Sequence, residues 1–181
     1  MRPTELAHRL IRDHVNCGDT VVDATVGNGH DTLFLANCVG DSGKVHGFDI
    51  QQQAIESTGL RTAECPQVEL HQIGHEEMDT VVDSKIAAAM FNLGYLPSGD
   101  KAVITRPRTT LLAIQKALDL LASNGLITIV VYPGHEGGES EADAISDWIT
   151  SQNESEVVVA NYRSEDSPSH APYLIEIRKM A

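Results

Sequence analysis

Two segments of this chain, Ile86–Phe91 and Leu126–Tyr132, are almost continuously apolar, with no polar residue at every second position. A strand with one wet face alternates, whereas a strand covered on both faces does not. Segments with helical spacing separate these runs, so the chain calls for a parallel sheet with crossover helices on both faces. The pattern predicts strands at Thr20–Ala24, Lys44–Asp49, Val68–Ile73, Ile86–Asn92, Leu126–Tyr132, Glu156–Asn161 and Tyr173–Arg178. Helices are predicted at His30–Val39, Gln52–Arg61, Thr109–Ala122 and Glu141–Ser151. An opening helix is expected, capped by Thr4, with Leu6, Leu10, Ile11 and Val15 on its buried side and Cys17-Gly18-Asp19 at its end. Ser140 followed by Asp143 has the spacing of a capping box for the last helix. Tyr162–Ala171 has no helical pattern, so the last two strands are expected to pair antiparallel. The expected fold is α/β, with a seven-stranded, mostly parallel sheet closed by a C-terminal hairpin.

The 181 residues suit one domain, residues 1–181. No apolar run reaches a membrane span of about 20 residues, and Met1–Glu5 lacks the apolar core of a secretory signal. Three scattered cysteines, Cys17, Cys38 and Cys65, form neither a disulfide framework nor a C-x-x-C metal pair. A cytoplasmic location is expected. The net charge of −13 and the few aromatic residues argue against an extended nucleic-acid platform. Six of the 13 basic residues nevertheless fall in two short stretches, Arg2, Arg9 and Arg12, and Lys101, Arg106 and Arg108. These are either a local groove for a phosphate backbone or ordinary solvated charge.

The densest signal is Val21–Asp31, VVDATVGNGHD, in which a buried strand turns through Gly27 and Gly29 into a helix. Glycines at such an elbow let a ligand approach the backbone, and the helix start favours polar or anionic atoms. Twenty residues beyond Gly29, Asp49 ends the second strand, where an acid can accept hydrogen bonds from ribose hydroxyls, with Gln51 beside it for a base. The dinucleotide fingerprint G-x-G-x-x-G fails, because Thr32 occupies the third glycine position. The spacing D-x-x-x-G-x-G from Asp23 instead resembles motif I of class I S-adenosylmethionine (SAM)-dependent methyltransferases, a Rossmann-like family with this strand count. Asp23 can equally cap nearby turn amides. Gly74 and His75, after the third strand, stand where such enzymes flank the adenine, or else cap a surface helix.

Asn92-Leu93-Gly94-Tyr95 resembles the N-P-P-Y signature of methyltransferases acting on amino nitrogens, without its prolines. An Asn carbonyl can aim an amine by accepting its hydrogen bond, and an aromatic ring can stack on the acceptor's planar part, which makes Asn92 and Tyr95 the catalytic candidates. A protonated amine is not nucleophilic, so a proton acceptor is required; Asp31, His135 and Tyr95 are candidates. His71 and His75 do not form a helical metal pair, and His75-Glu76-Glu77 lacks the second histidine of H-E-x-x-H, so no metal site is expected.

Asp23–Ala36 (DATVGNGHDTLFLA), FDIQ at 48–51, FNLGYLPSGDK at 91–101, YPGHEGGE at 132–139 and SHAPYL at 169–174 together resemble one small bacterial family. Its members, once labelled rRNA methylases, methylate 5-aminomethyl-2-thiouridine at the tRNA wobble position to the methylaminomethyl form. Pro133 stands where that family's pattern leads one to expect histidine. The resemblance implies SAM as cofactor, held by Asn28, His30, Asp49, Gln51, Gly74 and His75. It further implies tRNA, through its anticodon region, as partner, with Lys101 and His135 toward the substrate, and neither DNA nor a membrane. A homodimer is expected, since Rossmann-type methyltransferases this small often lack a separate RNA-binding domain and can make a recognition surface by pairing. A methyltransferase of small-molecule or protein amines, and a non-catalytic nucleotide-binding module, are the alternative readings.

Overall fold

A computed structural model describes residues 1–94, 105–134, 137–163 and 167–181. The elements run α1 (Pro3–His14), β1 (Thr20–Asp23), α2 (His30–Val39), β2 (Lys44–Phe48), α3 (Gln52–Arg61), β3 (Val68–His71), a 3₁₀ helix (His75–Thr80), β4 (Ile86–Asn92), α4 (Pro107–Leu120), β5 (Leu121–Val131), α5 (Gly138–Thr150), β6 (Val157–Tyr162) and β7 (Tyr173–Lys179). The strands form one sheet in the order β3-β2-β1-β4-β5-β7-β6. The first five are parallel, while β7 is antiparallel to both β5 and β6. Among the described residues, no helix is long and apolar enough to cross a membrane.

The unbroken apolar runs have the expected cause. Along β5, Ile127, Ile129 and Val131 face one core while Leu126 and Val130 face another. The first core lies under α4, α5 and the 3₁₀ helix, and the second under α1 and α2. Neighbouring strands repeat this division: Val22 and Phe91 join the first core, Val21 and Met90 the second.

Several boundaries differ by a residue or two from the pattern-based expectation, and three differences have a visible cause. The first helix begins at Pro3 with Arg2 as its cap residue, and Glu5 reaches back to accept from the Arg2 amide at 3.0 Å, so Thr4 lies inside the first turn. Likewise α5 begins at Gly138, because Gly137 takes a left-handed conformation (φ 80°) and turns the chain there; Ser140 is a helical residue, not a cap. The third difference is at β5, which starts at Leu121, five residues early. Leu121 pairs with Ile86 and is buried, and the ladder resumes at Leu126 opposite Ala88 after a bulge carrying Asn124 at φ 64°.

Between β1 and α2 the chain passes α3 at a distance that only glycine permits. Gly29 has φ 77°, and a Cβ there would lie 2.7 Å from Thr58 Oγ1 and 3.0 Å from Thr58 Cα. Gly29→Ala is expected to cost about 1–3 kcal/mol of stability from the left-handed backbone, with the steric clash added. A urea midpoint equal to that of the parent chain would show that the elbow tolerates a side chain.

Candidate active site

The elbow after β1 is tied at nearly every residue. Ala24 and Val26 donate to the carbonyls of Met90 and Phe48, at 2.9 and 3.1 Å, which fixes the elbow across β4 and β2. Asp23 is buried and accepts from the Thr25 amide (3.1 Å) and the Thr32 hydroxyl (2.6 Å), so its carboxyl caps the turn. Thr58 Oγ1 donates to the Gly27 carbonyl at 3.2 Å, and Arg61 Nε to that of Asn28 at 2.7 Å, both from α3.

Asp49 meets this elbow from the end of β2. Its Oδ2 accepts from the Gly27 amide (3.1 Å) and its Oδ1 from the Gln51 amide (2.9 Å). The Gly27 amide is therefore engaged, not bare. A carboxylate oxygen has two acceptor positions, so each oxygen keeps one, a pair suited to two neighbouring hydroxyls. His75, in the 3₁₀ helix, is buried against Phe91, and its Nδ1 lies 3.0 Å from the Ala24 carbonyl. A carbonyl only accepts, so Nδ1 carries the proton; burial lowers the ring's pKa, which leaves Nε2 an acceptor.

On the other side of the elbow, the Asn92 amide nitrogen of the backbone donates to Thr25 Oγ1 at 2.7 Å. Its side-chain Nδ2 donates to Asp31 Oδ2 at 3.3 Å, leaving the carbonyl Oδ1 as the acceptor. Leu93 N–H bonds the Val130 carbonyl, and Gly94 and Thr105 are clasped by two 3.0 Å bonds, Thr105 N–H to the Gly94 carbonyl and Gly94 N–H to Thr105 Oγ1. Buried Glu141 secures that clasp by accepting from Thr105 (2.7 Å) and Thr110 (2.6 Å).

The elbow from Ala24 to Asn28, with Asp31, Asp49, His75 and Asn92, lines one cleft of about 870 Å³ at the C-terminal ends of the parallel strands, where open α/β sheets bind ligands. All six residues expected to hold a nucleoside, Asn28, His30, Asp49, Gln51, Gly74 and His75, lie on it together with Asn92. Tyr95, Lys101 and His135 fall outside the described residues. The cleft also takes in residues that sequence reasoning did not assign to a site: Thr25, Tyr132 and His170, as well as Arg106, read there only as part of a basic cluster. Tyr132 stands next to Pro133 in a segment quoted only as a signature; burial, then the Asp31 charge, push its phenol up.

Comparison with known proteins places this geometry. Residues 45–178 match the family model described as "Putative rRNA methylase". The chain belongs to this family. Its fold is that of a Clostridium thermocellum protein solved under the same description, with TM-score 0.97, 40% identity, and 99% of this chain and 98% of that one covered. A Streptococcus mutans methyltransferase solved in complex with S-adenosylhomocysteine (SAH) matches at TM-score 0.91 and 36% identity, with 99% of each chain covered. An Arabidopsis thaliana protein, "tRNA (mnm(5)s(2)U34)-methyltransferase, chloroplastic", is 40% identical over 82% of this chain. The chain spans 62% of that relative's length.

The donor set fits the nucleoside cofactor of this fold: paired acceptors on Asp49 for a ribose, an acceptor on His75 near the base position, and glycines where side chains would intrude. A separate group, His46, Glu69 and His71 on β2 and β3, brings ligand-type atoms within 4.8 Å. His46 Nδ1 and His71 Nε2 share one proton at 3.0 Å, Lys44 holds Glu69 at 2.8 Å, and burial brings His46 down to about 4. The pair is bonded through His46 Nδ1, whereas His46 Nε2 is buried without a hydrogen-bond partner among the described residues.

Asp23 makes stability pH-dependent. Burial, then the charge of Asp31, raise its pKa from 3.8 to about 7. The folded chain therefore keeps this proton where the unfolded chain has lost it. The resulting stability is complete below 3.8 and is lost as pH rises to about 7, at up to about 1.4 kcal/mol per pH unit. Asp23→Asn keeps a carbonyl for the Thr25 amide and should flatten the decline of the urea midpoint across that window. Parallel declines in parent and variant would refute the assignment.

Proposed function

We propose that this chain is a SAM-dependent methyltransferase that N-methylates the aminomethyl group of 5-aminomethyl(-2-thio)uridine at the tRNA wobble position. The observation that carries the reading is the shared cleft: nucleoside-type donors around Asp49 and His75 at one end, and the Asn92 amide fastened to Asp31 at the other. Family membership and the printed activity of the plant relative support the substrate assignment.

Bound SAM supplies a methyl group already activated on a sulfonium. The chain's own task is to position the acceptor and exclude water, and such positioning can lower a barrier by roughly 7–11 kcal/mol. Asp49 holds the ribose hydroxyls, and Gln51, Gly74 and His75 border the base. Asn92 Oδ1 accepts a hydrogen bond from the acceptor amine and fixes its direction. Tyr95 and Tyr132 offer rings for the planar base. Arg106 in the cleft supplies positive charge toward a phosphate backbone on a chain of net charge −13, and Lys101 and His135 are assigned to the same substrate by the family resemblance. Two copies pair to extend that surface, a state that light scattering of the purified chain tests.

Two measurements test the reading. Asp49→Ala is expected to weaken SAH binding at least tenfold by calorimetry, about 1.4 kcal/mol; unchanged affinity removes Asp49 from the site. Incubation of SAM and the chain with tRNA bearing aminomethyluridine should yield the methylaminomethyl nucleoside by mass spectrometry, with tRNA binding that weakens steeply as salt rises. Turnover of a free amine, indifferent to salt, with unmodified tRNA nucleosides, would favour a small-molecule or protein-amine methyltransferase instead.

A further inference from the structure

Asp31, the second residue of α2, is held from two sides by different elements. Its Oδ2 accepts from Asn92 Nδ2 on β4, and its Oδ1 lies 2.6 Å from Nε2 of His8 on α1. The aspartate side chain is 14% exposed and the histidine 28%. The His8 ring cannot swing freely, because it stacks on Phe34 with ring centres 3.9 Å apart and planes 5° from parallel. Arg12 lies over the same Phe34 ring, 5.3 Å from its centre. An ionised carboxylate only accepts, so the facing Nε2 carries a proton and donates it.

A primary amine at Asn92 must lose a proton before it has a lone pair to share. The Asn92 amide can orient that amine but is not basic. Asp49, engaged by two backbone amides, and His75, tied to the Ala24 carbonyl through Nδ1–H, both stand at the end of the cleft read above as the nucleoside end. Among the described residues, Asp31 is the titratable side chain bonded to Asn92.

The geometry points to Asp31 as the group that takes the proton of the substrate ammonium, with His8 as the positioning residue that aims its carboxylate. This rests on the amine substrate proposed above. One N–H bond of the ammonium breaks, its electron pair stays on nitrogen, and the proton joins Asp31 Oδ2; it leaves to water when the product departs. His8 keeps its own Nε2 proton throughout and holds Oδ1, so that Oδ2 faces the amine beside Asn92. Ionisable groups face Asp31 from three packed elements: His8 on α1, Asp23 at the end of β1, and Tyr132 after β5.

The test compares Asp31→Asn, His8→Ala, His8→Gln and the Asp31→Asn/His8→Ala double variant on aminomethyl-bearing tRNA, each checked by thermal melting and SAH calorimetry to be folded and cofactor-competent. Asp31→Asn should lower kcat about 100-fold or more, the usual contribution of a positioned base. Its deficit should shrink as pH is raised and the amine arrives deprotonated. His8→Ala should lower kcat with KM unchanged, His8→Gln should restore much of the loss through its amide N–H, and the double variant should be no worse than Asp31→Asn. Independently of turnover, ¹⁵N NMR of the histidine rings should show a hydrogen-bonded Nε2 proton on His8 that is lost in Asp31→Asn. An undiminished kcat in His8→Ala, a deficit in Asp31→Asn that ignores pH, or a His8 signal indifferent to Asp31 overturns the assignment. If the parent chain itself fails to methylate that tRNA while binding SAH, the substrate assignment falls and this one with it; parent turnover with unaffected variants sinks this one alone.

Discussion

The close passage of the β1–α2 elbow against α3 is the contact on which the rest of the molecule turns. Because Gly29 carries no Cβ, Thr58 comes near enough to bond the Gly27 carbonyl, and Arg61 holds the next one. The same few residues are held by β2 and β4 through Val26 and Ala24, and His75 adds a bond from the 3₁₀ helix. Four elements thus converge on one turn, and the cleft is the space left above it. A preorganised site of this kind needs little rearrangement when a ligand arrives, which is the condition for positioning to act on a rate.

Three carboxylates around the elbow are used differently. Asp23 is buried and carries the turn, with burial and its acidic neighbours driving it toward the neutral form. Asp49 is partly exposed, and its two backbone partners leave acceptor positions open. Asp31 sits between an imidazole and an amide, oriented on both oxygens. Three acids lie close together, yet each does separate work because each has different donors. Of the three, Asp31 and Asp49 line the cleft, and Arg106 lines it too.

Much of the fold was legible in the residues. The runs Ile86–Phe91 and Leu126–Tyr132 lack alternation because both faces are buried, and that property required a parallel sheet with helices on each side. The helix Gln52–Arg61 has the bounds its pattern predicts. The errors fell at termini, where a single backbone conformation outweighs a side-chain motif. Gly137 in the left-handed region starts α5 before the Ser140 box is reached, and the pairing of Leu121 with Ile86 ends α4 early. The first is a backbone conformation that glycine permits but does not require, and the second is a long-range pairing, so no side-chain capping rule reports either.

For the site, the chain itself determined the glycine elbow, the acid at the end of β2 and the Asn92 loop, because each is a short motif whose spacing follows from a strand ending beside a helix. Only the tertiary structure decided what each group is bonded to. Asp23 and Asp31 are eight residues apart and both acidic, yet one became a buried cap and the other a held carboxylate facing the cleft. His8 had no signal at all: it stands on an amphipathic helix 23 residues before its partner, and nothing along the chain foretells that packing α1 against the sheet brings its ring to 2.6 Å from Asp31. Spacing encodes neighbours along one element, whereas a side-chain pair across two elements exists only once both have docked.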